Sequence, residues 1–291
     1  MRRNLVLARV GRRSLHPFWL EGGRHRDWDL RLVPFQDMPP QDPEEVVLGD
    51  VVPGPKWAGL RELLTTWDGW REYEHVWMPD DDLLMGHETI TRMFELADAL
   101  GFGLWAPALH ETSYFAHFDT IVNRRFTARA TGFVEIMAPG FRRETLEQLL
   151  PTLDRTPTGW GWGLDSLWPK LLGYEGVGVI DATPVLHTRP VGAMRDEELG
   201  RAVRAESDAI FAEFGCHQVH TTFRGFGPDL APLDLTPDEL LLALVDGWRP
   251  LIDRDPRLLA WIADFQRPAA GWPGYPVEGT PSGPEAHRAR A

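Results

Sequence analysis

The sequence predicts an α/β fold, on three observations. Short apolar runs alternate with segments of helical periodicity from the N-terminus to about residue 190. After Thr188 the pattern changes to helices alone. The chain has 291 residues, 43% hydrophobic and 25% charged, which is enough to bury a large core.

The elements follow in order. "NLVLARV" (Asn4–Val10) reads as a first strand, and "SLHPFWL" as a short helix beyond the turn at Gly11. "DLRLVPF" (Asp29–Phe35) is a second strand, ended by a proline-rich loop. "KWAGLRELLTTW" places Leu60, Leu63 and Leu64 at helical spacing, and "YEHVWM" (Tyr73–Met78) is the next strand. In "ITRMFELADAL" the residues Ile90, Phe94 and Ala97 share a helical face, and "GLWAPAL" (Gly103–Leu109) is again a strand. Residues 110–130 have no clean period and read as a long excursion.

"GFVEIMAPGF" (Gly132–Phe141) is expected as a strand, followed by the helix "RRETLEQLL". A glycine–tryptophan loop, "TGWGWGLD", leads into the helix "SLWPKLLG" and the strand "VGVIDATPVLH". Three further helices are expected at Arg201–Phe214, Thr236–Trp248 and Arg257–Phe265, the second with Thr236 as N-cap and Pro237 at its first position. The Pro/Gly-rich segment from Arg267 is expected to be disordered. The organisation is therefore a domain over 1–190, a helical extension over 191–266 and a tail over 267–291.

Charge and composition remove several function classes. The net charge is −13, from 43 acidic and 30 basic side chains, and binding to nucleic-acid phosphates needs the opposite balance. One cysteine, Cys216, permits neither a disulfide framework nor a Cys-rich zinc site, and reads as a buried thiol. The N-terminal apolar stretch, Leu5 to Ala8, is too short for a signal peptide, and no window reaches the roughly 18 apolar residues of a spanning helix. The expectation is a cytoplasmic protein without a transmembrane segment. Thirteen tryptophans suit cores and sugar faces alike, with the core as the default for most.

Chemistry concentrates at "VWMPDDDLLMG", where an apolar run meets three consecutive aspartates at the end of a strand. Open α/β sheets bind ligands there. In an extended segment Asp80 and Asp82 point one way and Asp81 the other. Hard carboxylate oxygens suit Mg²⁺ or Mn²⁺, while a solvated acidic turn capping the next helix explains the same spacing.

"ARVGRRSLHPFWL", "WMPDDDL", "FVEIMAPGF", "GWGLD" and "VGVIDATPVLH" occur in that order, and together they resemble the proteins grouped as domain of unknown function 707. That family is similar to GT-A type glycosyltransferases, and the likeness covers about residues 4–190. It implies a GT-A-like nucleotide-diphospho-sugar transferase fold, a mixed central sheet flanked by helices, here with a helical C-terminal extension. It also implies a D-x-D motif at Asp80 and Asp82, holding Mn²⁺ or Mg²⁺ and the donor diphosphate. Asp82 and His187 would be the metal ligands, although a lone histidine is as readily a core or surface residue. Asp80 and Asp81 would lie on the donor side, the role of Asp81 being the less defined.

"GWGLD" is similar to the GWG–acid loop of inverting galactosyltransferases, which makes Asp165 the general base; as an N-cap it would serve equally well. Glu135 is the second catalytic candidate, unless it faces solvent or pairs with Arg129. Trp160 and Trp162 could stack on an acceptor sugar or pack in their own loop. Arg9, Lys56, Arg124 and Arg125 are the remaining donor-binding candidates.

The expected activity is metal-dependent transfer of a sugar, with inversion, from a nucleotide sugar to a hydroxyl on a glycan or small-molecule acceptor, with a UDP-sugar as donor. The rivals are a metal-dependent phosphoesterase and a non-catalytic carbohydrate- or nucleotide-binding module. A second metal site with further His and Asp ligands would favour the phosphoesterase, and no tight cluster of that kind is visible in the sequence.

Overall fold

The computed structural model describes residues 2–22, 26–192 and 196–267. The expected tail therefore lies outside the described residues from 268 onward. The first elements are β1 (Asn4–Val10), α1 (His16–Leu20), β2 (Trp28–Pro34), β3 (Val46–Leu48), α2 (Lys56–Thr66), β4 (His75–Trp77) and β5 (Leu83–Leu84). Next come α3 (His87–Ala99), β6 (Leu104–Leu109), β7 (Ala128–Thr131), β8 (Gly140–Arg142), α4 (Arg143–Leu149), α5 (Leu164–Leu171) and β9 (Val177–His187). The C-terminal part adds α6 (Glu197–Phe214), β10 (Thr222–Phe226), α7 (Pro237–Gly247), α8 (Arg249–Ile252) and α9 (Leu258–Gln266).

The strands form one mixed sheet in the order β10-β7-β9-β6-β8-β4-β1-β2-β3, with β5 paired to β9. β1 runs parallel to both β2 and β4, so the connection reverses direction at the β1–β4 boundary. Such a switch point opens a crevice at the carboxyl ends of the strands. The short β8 is antiparallel to both β4 and β6. The expected mixed sheet flanked by helices is the architecture observed.

Alternation along β1 makes the sheet a shared wall. Val6, Ala8 and Val10 face one core with α3, α7 and α9, while Leu5 and Leu7 face a second with α2, α4 and α5. Trp19, Trp28, Trp57, Trp70, Trp77, Trp105 and Trp168 are fully buried, so the tryptophan excess is mostly core. Cys216 is likewise buried.

Two expectations about elements need correction. Gly132–Phe141 is not a strand: regular pairing covers Ala128–Thr131 and Gly140–Arg142, and the intervening residues cross as a loop. Phe133 and Val134 bury their side chains, and the backbone oxygens of Ile136 and Met137 accept from Lys56, that of Met137 also from the Asp80 amide beyond β4. Second, the segment after residue 190 is not helices alone, because β10 pairs antiparallel with β7. The Thr236 cap is as expected, and Glu239 completes a capping box.

Candidate functional site

β4 delivers Pro79–Asp82 to the carboxyl end of the sheet, at the switch point. The chain then pairs as β5 with the end of β9, in the register Leu83↔His187. That pairing is what brings an aspartate and a histidine more than a hundred residues apart to one place. His187 Nε2 lies 3.4 Å from Asp82 Oδ2. Its other nitrogen, Nδ1, donates to the Tyr114 carbonyl oxygen at 2.7 Å. This fixes the ring and leaves Nε2 as the atom facing the carboxylate. Asp82 Oδ1 is buried and has no partner. A fixed imidazole nitrogen, a carboxylate oxygen and an unpartnered second oxygen fit a divalent cation.

The three aspartates have separate surroundings. Asp80 Oδ1 pairs with Lys56 Nζ at 2.7 Å. Asp81 turns the other way: its Oδ2 accepts from the Gly11 amide at 2.8 Å and its Oδ1 pairs with Arg189 at 3.1 Å. It therefore ties the β1–α1 turn to the loop rather than facing Asp82. Lys56 donates to Ile136 and Met137 carbonyls at 2.9 and 2.7 Å as well as to Asp80. Its three donors have three acceptors, so it braces the loop that carries Glu135.

Glu135 sits in that loop, half-buried, with Oε2 lacking a partner. Burial pushes its carboxyl up to about 8, with the Asp165 charge adding to the rise and His187 opposing it. A cavity of about 10 Å³ lies against it, lined also by Thr120, Leu109 and Val179, a volume on the scale of one water. The suggested pairing with Arg129 does not occur. Arg129 is fully buried and forms a two-pronged bond with Asp181, Nε–Oδ2 at 2.9 Å and Nη2–Oδ1 at 3.0 Å. Burial raises Asp181 while Arg129 opposes that rise.

Asp165 is buried in the first turn of α5, where Ser166 donates to its Oδ1 at 3.1 Å. It is not the N-cap: Gly163 occupies that position, with φ of 95°. Gly161, at φ of 78°, lies against the indole of Trp57, where a Cβ would sit 2.4 Å from Cδ1. Gly161 lets the loop fold onto α2, while Gly163 lies against Ser207 and Ile210 of α6. Trp160 and Trp162 are half-buried, and Trp162 borders a shallow groove with Glu197, Arg201 and Arg204 of α6.

The other basic candidates do not gather at the aspartates. Arg9 is buried and donates to the carbonyls of Val33, Pro34, Val52 and Gly54, which organises the approach to α2. Arg124 is exposed and pairs with Glu111 at 2.6 Å, and Arg125 is also exposed. Beside Lys56, a second cation stands at the site: Arg189, 4.0 Å from Asp82 Oδ2. "LHTRP" held that signal, a base two residues beyond His187.

A second group was not visible in the sequence. His117, Asp119 and His220 offer ligand atoms that all lie within 4.8 Å of one another. The Asp119 charge also reaches Glu135.

No protein-family model matches the chain, and no curated protein matches it. Solved structures similar to it include S. aureus TarS, at 12% identity and a TM-score of 0.42, over 93% of this chain and 55% of that one. Another is S. aureus TarS 1-349 in complex with UDP-GlcNAc, at 13% identity and a TM-score of 0.45, over 93% of this chain and 89% of that one. The chain thus spans about half the length of the longer TarS structure. Likeness this distant carries nothing about activity. Among the described residues, no helix is long and apolar enough to cross a membrane.

Proposed function

We propose that the chain is a metal-dependent glycosyltransferase, moving a sugar from a nucleoside-diphosphate sugar to an acceptor hydroxyl with inversion. The observation that carries this reading is the Asp82–His187 pair at the switch point, with Nδ1 held by a carbonyl and Asp82 Oδ1 unpartnered. The resemblance of the ordered motifs to the domain of unknown function 707 points the same way. Asp82 and His187 would hold Mn²⁺ or Mg²⁺, which when bound neutralises charge on the departing diphosphate.

The chain's own groups supply the rest. Asp80, fixed by Lys56, faces the donor, and Arg189 sets positive charge beside the leaving phosphate. Asp165 takes the acceptor proton, and Glu135 stays protonated at neutral pH unless a cation lowers it. A UDP-sugar is the donor expected, and Trp160 and Trp162 are the acceptor-side candidates. Calorimetric titration of UDP with Mn²⁺ and with chelator, for wild type and Asp82→Ala, tests this. Equal binding by both proteins without metal would overturn it.

Phosphoester hydrolysis is the second reading, favoured by one observation: the His117–Asp119–His220 group supplies the further ligands that the sequence did not reveal. Metal-dependent release of orthophosphate from UMP, lost in His220→Gln but kept in Asp165→Asn, would turn the assignment to hydrolysis.

A further inference from the structure

Neither transfer nor its groups give His117, Asp119 and His220 anything to do. His220 Nδ1 lies 3.0 Å from Asp119 Oδ2, and both side chains are 5% exposed. The His117 ring stacks on that of His220 at 5.1 Å between centroids. Phe133 and Phe265 wall His220 at 4.5 and 4.7 Å. In such surroundings a carboxylate oxygen without a partner is costly, yet Asp119 Oδ1 is buried and has none. The bond to His220 accounts for only one of its two oxygens. A divalent ion would engage the carboxylate and both imidazoles together.

We propose that His117, Asp119 and His220 form a binding site for a divalent transition-metal ion of the zinc type, separate from the Asp82–His187 pair. Two imidazoles and a carboxylate are a donor set that zinc accepts, and three protein ligands leave a fourth position open on the half-buried His117 side. His117 and Asp119 come from the excursion between β6 and β7, whereas His220 lies just before β10. The ion therefore joins the C-terminal segment to the excursion whose Tyr114 carbonyl orients His187. Arg129 donates to the Asp119 backbone oxygen at 2.9 Å, which holds the ligand loop from behind.

The test uses full-length chain stripped with chelator, titrated with Zn²⁺ alone and then with Co²⁺ for its visible absorption. It is run in the Asp82→Ala background, which removes the other candidate pair, with and without His117→Ala or His220→Gln. Asp82→Ala should keep one tight Zn²⁺ equivalent and gain melting temperature on binding it. Even outer-shell changes at metal sites cost about 10–100-fold in affinity, so losing a direct ligand should weaken Zn²⁺ by at least ~100-fold and alter the Co²⁺ spectrum. Absence of tight Zn²⁺ in Asp82→Ala overturns the proposal, as does binding that neither histidine change weakens. Should His220→Gln not fold, His117→Ala decides alone. Because Asp82 is absent throughout, failure here leaves the nucleotide reading untouched.

Discussion

Replacing Glu135 by glutamine should make the protein more stable at alkaline pH and leave it unchanged in acid. The carboxyl titrates near 4.5 when unfolded and near 8 in the fold, mainly because it is buried and partly because Asp165 stands close. A raised proton affinity of this kind supports the fold fully below the lower value, and the support is lost as pH rises through the upper one. Each tenfold displacement of the proton equilibrium is worth about 1.4 kcal/mol, so the ceiling is about 5 kcal/mol. Glu135 is only half-buried, and solvent screening reduces this to about 2–3 kcal/mol. Glutamine keeps the shape and cannot ionise. Urea unfolding in chelator should give nearly equal stabilities at about pH 4 and a gain of about 2–3 kcal/mol for Glu135→Gln at about pH 8.5. Added Mn²⁺ should narrow the gap, since a cation near Glu135 favours its charged form. Parallel pH profiles for the two proteins would show that Glu135 is solvated like an ordinary surface acid.

Other outcomes follow from single contacts. Arg129→Met should cost about 3–5 kcal/mol in denaturant unfolding, because it strands the buried Asp181 carboxylate; a loss under 1 kcal/mol would mean that Asp181 is hydrated or protonated. Asp165→Asn should reduce transfer about 10²–10⁴-fold while UDP binding survives, and near-normal turnover would remove Asp165 as the base. Thr236→Ala should lower stability by about 1 kcal/mol through loss of the capping box, measured as a shift in urea midpoint. Gly161→Ala should lower the melting temperature, since the position needs a positive φ and has no room beside Trp57.

The legible parts of this fold are those where one residue's neighbours in sequence decide its environment. β1, β2, α2, α3 and β9 carry uninterrupted apolar patterns, and the α7 cap is a local motif. β3, β5, β7 and β10 were missed because strands of two to five residues hold too little pattern to separate from a loop. Gly132–Phe141 misled in the opposite sense: Phe133, Val134 and Ala138 are buried, but Lys56, 80 residues away, takes the Ile136 backbone oxygen and regular pairing begins only at Gly140. At the site, the placement of the aspartates at a strand end was readable, and so was the opposed direction of Asp81. The partner of Arg129 was open to the reasoning applied to Glu135, because Asp181 is also a carboxylate within an apolar strand. His117, Asp119 and His220 carry no spacing signal, since 101 residues separate Asp119 from His220 and only the β7–β10 pairing unites them.

The Lys56 clamp has a kinetic consequence. With its ammonium committed to Asp80 and two carbonyls, Lys56 offers no mobile positive charge to an arriving nucleotide. Asp80 and Asp82 then set negative charge at the site, met by Lys56 on Asp80 and by Arg189 near Asp82. A bare nucleoside diphosphate would be repelled from it, whereas its chelate with a divalent ion would not. On the proposed reading, addition would be ordered: the cation would enter before the nucleotide or together with it, and excess free nucleotide would deplete the productive ligand instead of competing for the site.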